Sequence, residues 1–98
     1  MIQWKDLVTF LISLIRIKCN LYPKTEKIKV HKKHSDYNFK HKGALFYINT
    51  NNGGTILNDN KKIDSIENRM LFFEPHILHS STSTTSQKAR ININFNYF

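Results

Sequence analysis

The last residues of the chain alternate without a break: Ile91, Ile93, Phe95 and Tyr97 stand between Arg90, Asn92, Asn94 and Asn96. Side chains of a strand point to opposite faces in turn, so this run has one apolar face and one built from an arginine and three amides. The apolar face belongs in a core. The polar face then looks either at solvent or into a wet interior, where Arg90 could reach a buried anion.

The same period of two recurs early in the chain, where Ile15, Ile17, Cys19 and Leu21 alternate with Arg16, Lys18 and Asn20 until Pro23 ends the run. Further strands are expected over 28–33, 44–49, 55–57 and 70–73, with the last one over 89–98. Their separators are turn-like. Asn51-Asn52-Gly53-Gly54 and Asn58-Asp59-Asn60 supply residues that tolerate positive φ, and the Ser/Thr tract 80–86 reads as a polar loop. Six or more short strands with regular turn signals indicate an all-β sandwich or barrel. Ahead of them, Trp4, Leu7, Val8, Leu11, Leu14 and Ile15 recur at steps of three and four, which predicts one helix over about 3–14 packed on a sheet. A chain of 98 residues makes one domain with a thin core, here a helix followed by a β core over about 15–98. Covering the apolar helix face with a second copy would relieve that thinness, which leaves a homodimer open.

The net charge of +8 favours an anionic partner: nucleic acid, an acidic protein or a small carboxylate. Many of the lysines fall within 24–42, interleaved with His31, His34 and His41, and such a run by itself reads as a solvated face. The single cysteine, Cys19, cannot close an intrachain disulfide, which fits a reducing, cytoplasmic compartment. Within its apolar run Cys19 is expected to be a small buried residue. The apolar stretch 7–17 is too short to cross a bilayer, is broken by Thr9, Ser13 and Arg16, and has no small-residue cleavage site. Neither a membrane span nor a signal peptide is expected.

His34-Ser35-Asp36 follows the expected strand 28–33, and a period of two sets the imidazole and the carboxylate on one face, close enough to share an ion. A third nitrogen ligand must come from far along the chain. Met70-Leu71-Phe72-Phe73 runs into Glu74-Pro75-His76-Ile77-Leu78-His79, which offers His76 and His79. Two histidines and one carboxylate form the facial triad of non-haem iron(II) oxygenases and leave three coordination positions open. His31 differs in strand parity from His34, and His41 sits in a lysine-rich turn, so both read as solvated histidines outside the site.

A lone His-x-Asp is a weak signal, whereas the ordered set is stronger: His34 and Asp36, then Tyr47-Ile48-Asn49, Gly53-Gly54, Asn68-Arg69, His79-Ser80, and Arg90 eleven residues later. Over about 17–98 this order resembles the prolyl 4-hydroxylase-like branch of the 2-oxoglutarate and iron(II)-dependent oxygenases, including short members of viral or marine-microbial type. The resemblance implies a double-stranded β-helix, the jelly roll of the cupins. It implies Fe(II) held by His34, Asp36 and His79, with His79 chosen over His76 because Ser80-Ser81 follow it and its spacing to Arg90 fits. His76 is left as a loop or supporting residue.

The same resemblance makes Arg90 the anchor of the far carboxylate of 2-oxoglutarate. It sets Tyr22 in a position similar to the family tyrosine that hydrogen-bonds this cosubstrate, with a longer spacing to His34 than in the best-known members; Asn20 and Tyr47 are further candidates for that contact. Gly53-Gly54 reads as turn geometry. The implied activity is hydroxylation of a prolyl or other side chain using dioxygen and 2-oxoglutarate, with release of succinate and CO2 and with ascorbate as an accessory reductant. In a virus the compartment would be the host cytoplasm. A peptide or small molecule is the favoured substrate. Two other readings stay open: a nucleic-acid dealkylating oxygenase, whose last strand Arg90 to Asn96 resembles except that Asn96 replaces a second arginine, and a non-catalytic jelly-roll binding or structural module.

Overall fold

The computed structural model describes residues 14–98. Seven strands run β1 (Leu14–Pro23), β2 (Lys42–Tyr47), β3 (Gly54–Ile56), β4 (Lys62–Asp64), β5 (Met70–Phe73), β6 (Ser80–Ser81) and β7 (Ala89–Tyr97). They form a four-stranded sheet in the order β1-β7-β2-β5 and a three-stranded sheet in the order β4-β3-β6, with antiparallel pairing in both. The expected helix over about 3–14 lies outside the described residues, and no described helix is long and apolar enough to cross a membrane.

The register of the larger sheet settles which way the polar face of β7 looks. Arg90, Asn92, Asn94 and Asn96 pair with Tyr22, Asn20, Lys18 and Arg16 of β1, and Asn92, Asn94 and Asn96 also pair with Tyr47, Leu45 and Gly43 of β2. Paired residues share a face. Arg90 and Asn96 are fully buried, and Asn92 and Asn94 nearly so, so this face is the interior. Across the gap it meets Thr55 of β3 and Ser81 of β6. The described buried apolar side chains come down to Ala44, Leu45, Tyr47 and Pro75. Ile17, Leu21 and Phe72 lie on the opposite face with much of their surface exposed. A sandwich with a polar interior gains little from apolar burial there and must bond its amides and hydroxyls to one another.

Several expectations change. No regular strand forms over 28–33; the chain there and just beyond meets the residues flanking β6 through isolated bridges, Val30 to Thr82 and His34 to His79. Between these bridges the register slips by one residue, which breaks the ladder. Conversely, β4 and β6 were not expected, and the Ser/Thr tract is no exposed loop: Ser80, Thr82, Ser83 and Thr84 are buried. Cys19 is exposed on the outer face of β1 and not buried.

Gly53 and Gly54 do not serve positive φ, which falls instead on Asn60 (65°) and Asn68 (67°). They serve close approach. A Cβ on Gly53 would overlap the Ser83 carbonyl oxygen and stand 2.8 Å from Cδ of Arg90. Gly53→Ala should therefore destabilise the protein by about 1–3 kcal/mol, read from the urea midpoint, because the obstructing atom is backbone and cannot swing away.

Candidate metal centre

The segment after Pro23 is tied to β6 by backbone bonds: His31 N–H donates to Ser81 O at 2.9 Å, and His34 and His79 exchange N–H···O bonds of 2.8 and 2.9 Å. This reciprocal pair sets residues 34 and 79 directly opposite each other, with ring centroids 4.6 Å apart. Asp36 N–H then donates to Pro75 O at 2.8 Å, which folds the chain back over the pair. The turn, and not the period of two expected for His34 and Asp36 after a strand over 28–33, is what brings the carboxylate to the two imidazoles.

Nε2 of His34 and Nε2 of His79 lie 3.4 and 3.3 Å from Oδ1 of Asp36, and one ligand atom from each residue falls within 4.8 Å of the others. Ligands about 2.1 Å from a metal on adjacent octahedral corners are about 3 Å apart, so the spacing around Oδ1 suits one ion. The surroundings orient the donors. Nδ1 of His79 is 2.9 Å from the Ile77 carbonyl, which can only accept, so Nδ1 carries the hydrogen and Nε2 of the neutral ring offers its lone pair inward. Nδ1 of His34 faces the Lys32 carbonyl more loosely, at 3.4 Å. Asn94 Nδ2 donates to Oδ2 of Asp36 at 3.0 Å and leaves Oδ1 for the shared position. Phe73 stands edge-on to His79 at 5.0 Å.

Burial opposes charge on Asp36, but hydrogen bonds from His79 and Asn94 outweigh it and hold the carboxyl far below its ordinary range. Burial likewise opposes charge on His79, yet its bond to Asp36 raises the imidazole above its ordinary value. Both shifts favour the charged forms, carboxylate and imidazolium, in the metal-free site. Asp36, with its depressed value, lends stability above about pH 4 that is lost on acidification, while His79 lends stability below about pH 6.5 that is lost as pH rises through its raised value. A bound metal needs His79 deprotonated. The gain in melting temperature on adding metal should therefore grow as pH rises above about 6.5, with protons released to the buffer on binding. Thermal scans with and without metal at several pH values check this; a gain independent of pH would contradict it.

These three residues line one cleft of about 230 Å³ together with Arg16, Lys18, Asn20 and Tyr22 of β1 and Asn92 and Asn94 of β7. Behind its far end lies Arg90, 0% exposed. Its Nη1 donates to Ser81 Oγ at 2.6 Å and to the Thr82 carbonyl at 3.3 Å, and Nη2 donates to Thr55 Oγ1 at 3.3 Å. The guanidinium lies 5.0 Å from the Tyr22 ring centroid and 5.8 Å from that of Tyr47. No carboxylate among the described residues pairs with it, and its Nε has no partner. Burial pulls its pKa below the ordinary guanidinium value. A buried cation held by hydroxyls, one backbone carbonyl and ring faces, with no carboxylate beside it among the described residues, could accept an anion. Ser80 Oγ and Asn94 Oδ1, both on residues lining the cleft, are also buried without partners.

Of the other candidates, Tyr22 and Asn20 line the cleft, and Asn20 donates to Asn92 Oδ1 at 3.0 Å. Tyr47 is fully buried, with its hydroxyl 2.8 Å from Thr55 Oγ1. His41 is not solvated: it is 4% exposed, with Nδ1 at 2.9 Å from the Phe39 carbonyl and Nε2 at 2.8 Å from Asn96 Oδ1. His31 is half-buried and stacks on Tyr22 at 5.3 Å. His76 stays outside the triad, with its ring 6.4 Å from that of His41. Asn94 and Thr55 are not singled out by the sequence, and Ser81 enters there only as a marker of His79. Asn94 was visible only as one of three like amides, and no spacing rule marks which of them meets a carboxylate.

The fold and the three-ligand cluster place the chain among jelly-roll-like proteins with a His-Asp-His group that could hold a metal ion. Its fold is similar to a prolyl-4-hydroxylase from Pseudomonas putida, with a TM-score of 0.59 and 16% identity over 95% of this chain. The chain spans 62% of the length of that hydroxylase. It is also similar to an RmlC-like cupin protein from Desulfovibrio desulfuricans, with a TM-score of 0.51, 12% identity, and coverage of 98% of this chain and 89% of the other. No family model and no curated protein matches the sequence.

Proposed function

We propose that the chain is an Fe(II)- and 2-oxoglutarate-dependent oxygenase that hydroxylates a substrate presented at the cleft. The observation that carries this reading is the pairing, in one polar interior, of the His34-Asp36-His79 cluster with a fully buried guanidinium that has no carboxylate partner among the described residues. Either half alone would be ordinary. Together they match a cosubstrate that must be chelated at one end and ion-paired at the other.

The donor set fits ferrous iron: two neutral imidazoles and one carboxylate, with positions left over. With 2-oxoglutarate and dioxygen, bound iron would supply the oxidising chemistry that hydroxylates a C–H bond and yields succinate and CO2. The chain's own residues bind and orient. His34, Asp36 and His79 would hold the ion, the Ile77 carbonyl and Asn94 fix the angles of two of them, and Arg90 would grip the far carboxylate through its fork of donors. Arg90 and Asn94 are four residues apart on β7, about 13 Å of strand, a span that an arginine side chain and a five-carbon diacid together cover. Tyr22 and Ser81 would complete the anion's surroundings, and Phe73 and Leu45 supply apolar wall. Ascorbate stays an expectation of the resemblance, and no described residue singles it out.

Anaerobic titration of the protein with Fe(II) and 2-oxoglutarate tests the proposal. A metal-to-ligand absorption band that saturates at one iron per chain is expected. No band at saturating iron would favour a non-catalytic jelly-roll module that keeps the barrel and lacks the chemistry.

A further inference from the structure

The cleft is strongly one-signed, and one of its ends carries an exposed row of rings. The inward face of β1 contributes Arg16 and Lys18 to the lining, whereas the carboxylate there is Asp36, which the ion pair and Asn94 already engage. Among the described residues no acid pairs with Arg16, Lys18, Lys40 or Lys42; beyond the Asp36 contacts, the described ion pair is Lys62 with Asp64. Register orders the cleft along its length. Tyr22 lies opposite Arg90, Lys18 opposite Asn94 beside the metal ligands, and Arg16 opposite Asn96 at the end away from Arg90.

At that end, one residue beyond Asp36, an aromatic row begins. Tyr37 stacks on Phe39 at 5.1 Å and 22°, and Phe39 stacks on Phe98 at 5.8 Å and 21°. The Arg16 guanidinium sits 5.4 Å from the Tyr37 ring centroid. Phe39 and Phe98 are 41% and 64% exposed, so near-parallel rings stand open to solvent beside cations that no acid among the described residues pairs with. A proline-rich peptide docks on rings without needing such charge. Rings that accept flat groups beside cations that accept phosphates are the platform that holds single-stranded nucleic acid, whose bases are free to stack.

We propose that this end of the cleft binds single-stranded nucleic acid, with phosphates against Arg16, Lys18 and the neighbouring lysines and a base on Phe98, the outer ring of the row that Phe39 backs, and presents it to the candidate metal centre. As a statement about substrate this rests on the oxygenase reading; as a statement about binding it does not. Duplex is the poorer ligand because its bases are already stacked and cannot reach the rings.

Fluorescence anisotropy on the full chain tests it with three labelled probes: a mixed-sequence DNA strand of about 12 nucleotides, an abasic strand of equal length and a proline-rich peptide of similar size. The mixed strand should bind tightest and weaken with salt. Phe98→Ala should weaken it about 5-fold or more, the low end for losing one stacked base. Arg16→Ala should flatten the logarithmic salt dependence by about 0.7, the value for one phosphate contact on a single strand. Lys61→Ala, in the turn between β3 and β4, serves as a charge control and should leave the affinity of the ring-stacked strand nearly unchanged. These side chains are exposed, and circular dichroism is the check that each variant folds.

Equal affinity for the abasic strand, tighter binding of the peptide, or affinity weaker than about 10⁻⁴ M at low salt would overturn the proposal. The two readings separate cleanly. His79→Ala should remove the iron-dependent absorption band at iron concentrations that saturate the unaltered chain yet keep oligonucleotide binding, so a chain that binds iron and 2-oxoglutarate but no strand sinks this proposal alone. A chain that binds the strand but gives no band sinks the oxygenase alone.

Discussion

His79→Ala is expected to lower Fe(II) affinity by more than about 100-fold, since loss of a group that merely orients a ligand already costs 10–100-fold. His79 is the best-prepared of the three donors. It is 7% exposed, its Nδ1–H is taken up by the Ile77 carbonyl, and its Nε2 points at the shared Asp36 oxygen. His34, with a side chain 54% exposed, is free to turn away, so His34→Ala should cost less. Asn94→Ala should fall within the 10–100-fold range, because it frees Oδ2 of Asp36 to rotate without removing a donor. The alanine at 79 also deletes the edge contact with Phe73, so Asp36→Asn, which keeps volume and removes charge, separates a metal effect from a packing effect. Competition with a coloured chelator under anaerobic conditions reads all four. Affinity of His79→Ala within about threefold of the unaltered chain, a difference of under 1 kcal/mol, would remove His79 from the ligand set.

How much of this was legible beforehand depends on the range over which each signal acts. The alternation in β7 and β1 is local, and it correctly marked two long strands and the inward direction of Arg90 as one of two open choices. Which choice holds is a matter of pairing: Arg90 faces inward because β1 and β2 flank β7 and the smaller sheet covers it, and none of this is written in residues 89–98. The spacing of His34 and Asp36 suggested proximity for the wrong reason, since a turn anchored by Pro75 O and not a strand brings them together.

The misreadings share a cause. Cys19, His41 and the Ser/Thr tract were assigned environments from their own chemistry, as if apolar meant inside and polar meant outside. In a sandwich whose interior is a polar site the rule inverts: Ser83 and Thr84 are buried, and Leu21 is 60% exposed. Such an inversion gives up apolar burial in favour of a cavity that can receive a charged guest, the kind of local conflict that functional sites tolerate.

Arg90→Met is the sharper test of that inversion, because it should move two measurements in opposite directions. Affinity for 2-oxoglutarate in the presence of Fe(II) should fall by about 30-fold or more, the consequence of truncating one partner of a buried charge pair, which costs about 2–5 kcal/mol. Arg90→Lys should fall between, since it keeps the charge and loses the planar fork. In the metal-free protein, however, Arg90 is a desolvated cation whose partners are the hydroxyls of Ser81 and Thr55, the Thr82 carbonyl and the faces of Tyr22 and Tyr47. Replacing buried charge with an apolar side chain of similar length is often neutral or stabilising. The melting temperature of metal-free Arg90→Met should therefore be no lower than that of the unaltered chain. If the residue were a structural tie between the two sheets, the same substitution would lower stability by several kcal/mol, as expected for breaking a buried charged network, and would leave ligand affinity to follow stability. Unfolding in urea and isothermal titration on one pair of samples decide between an anchor awaiting its anion and a strut.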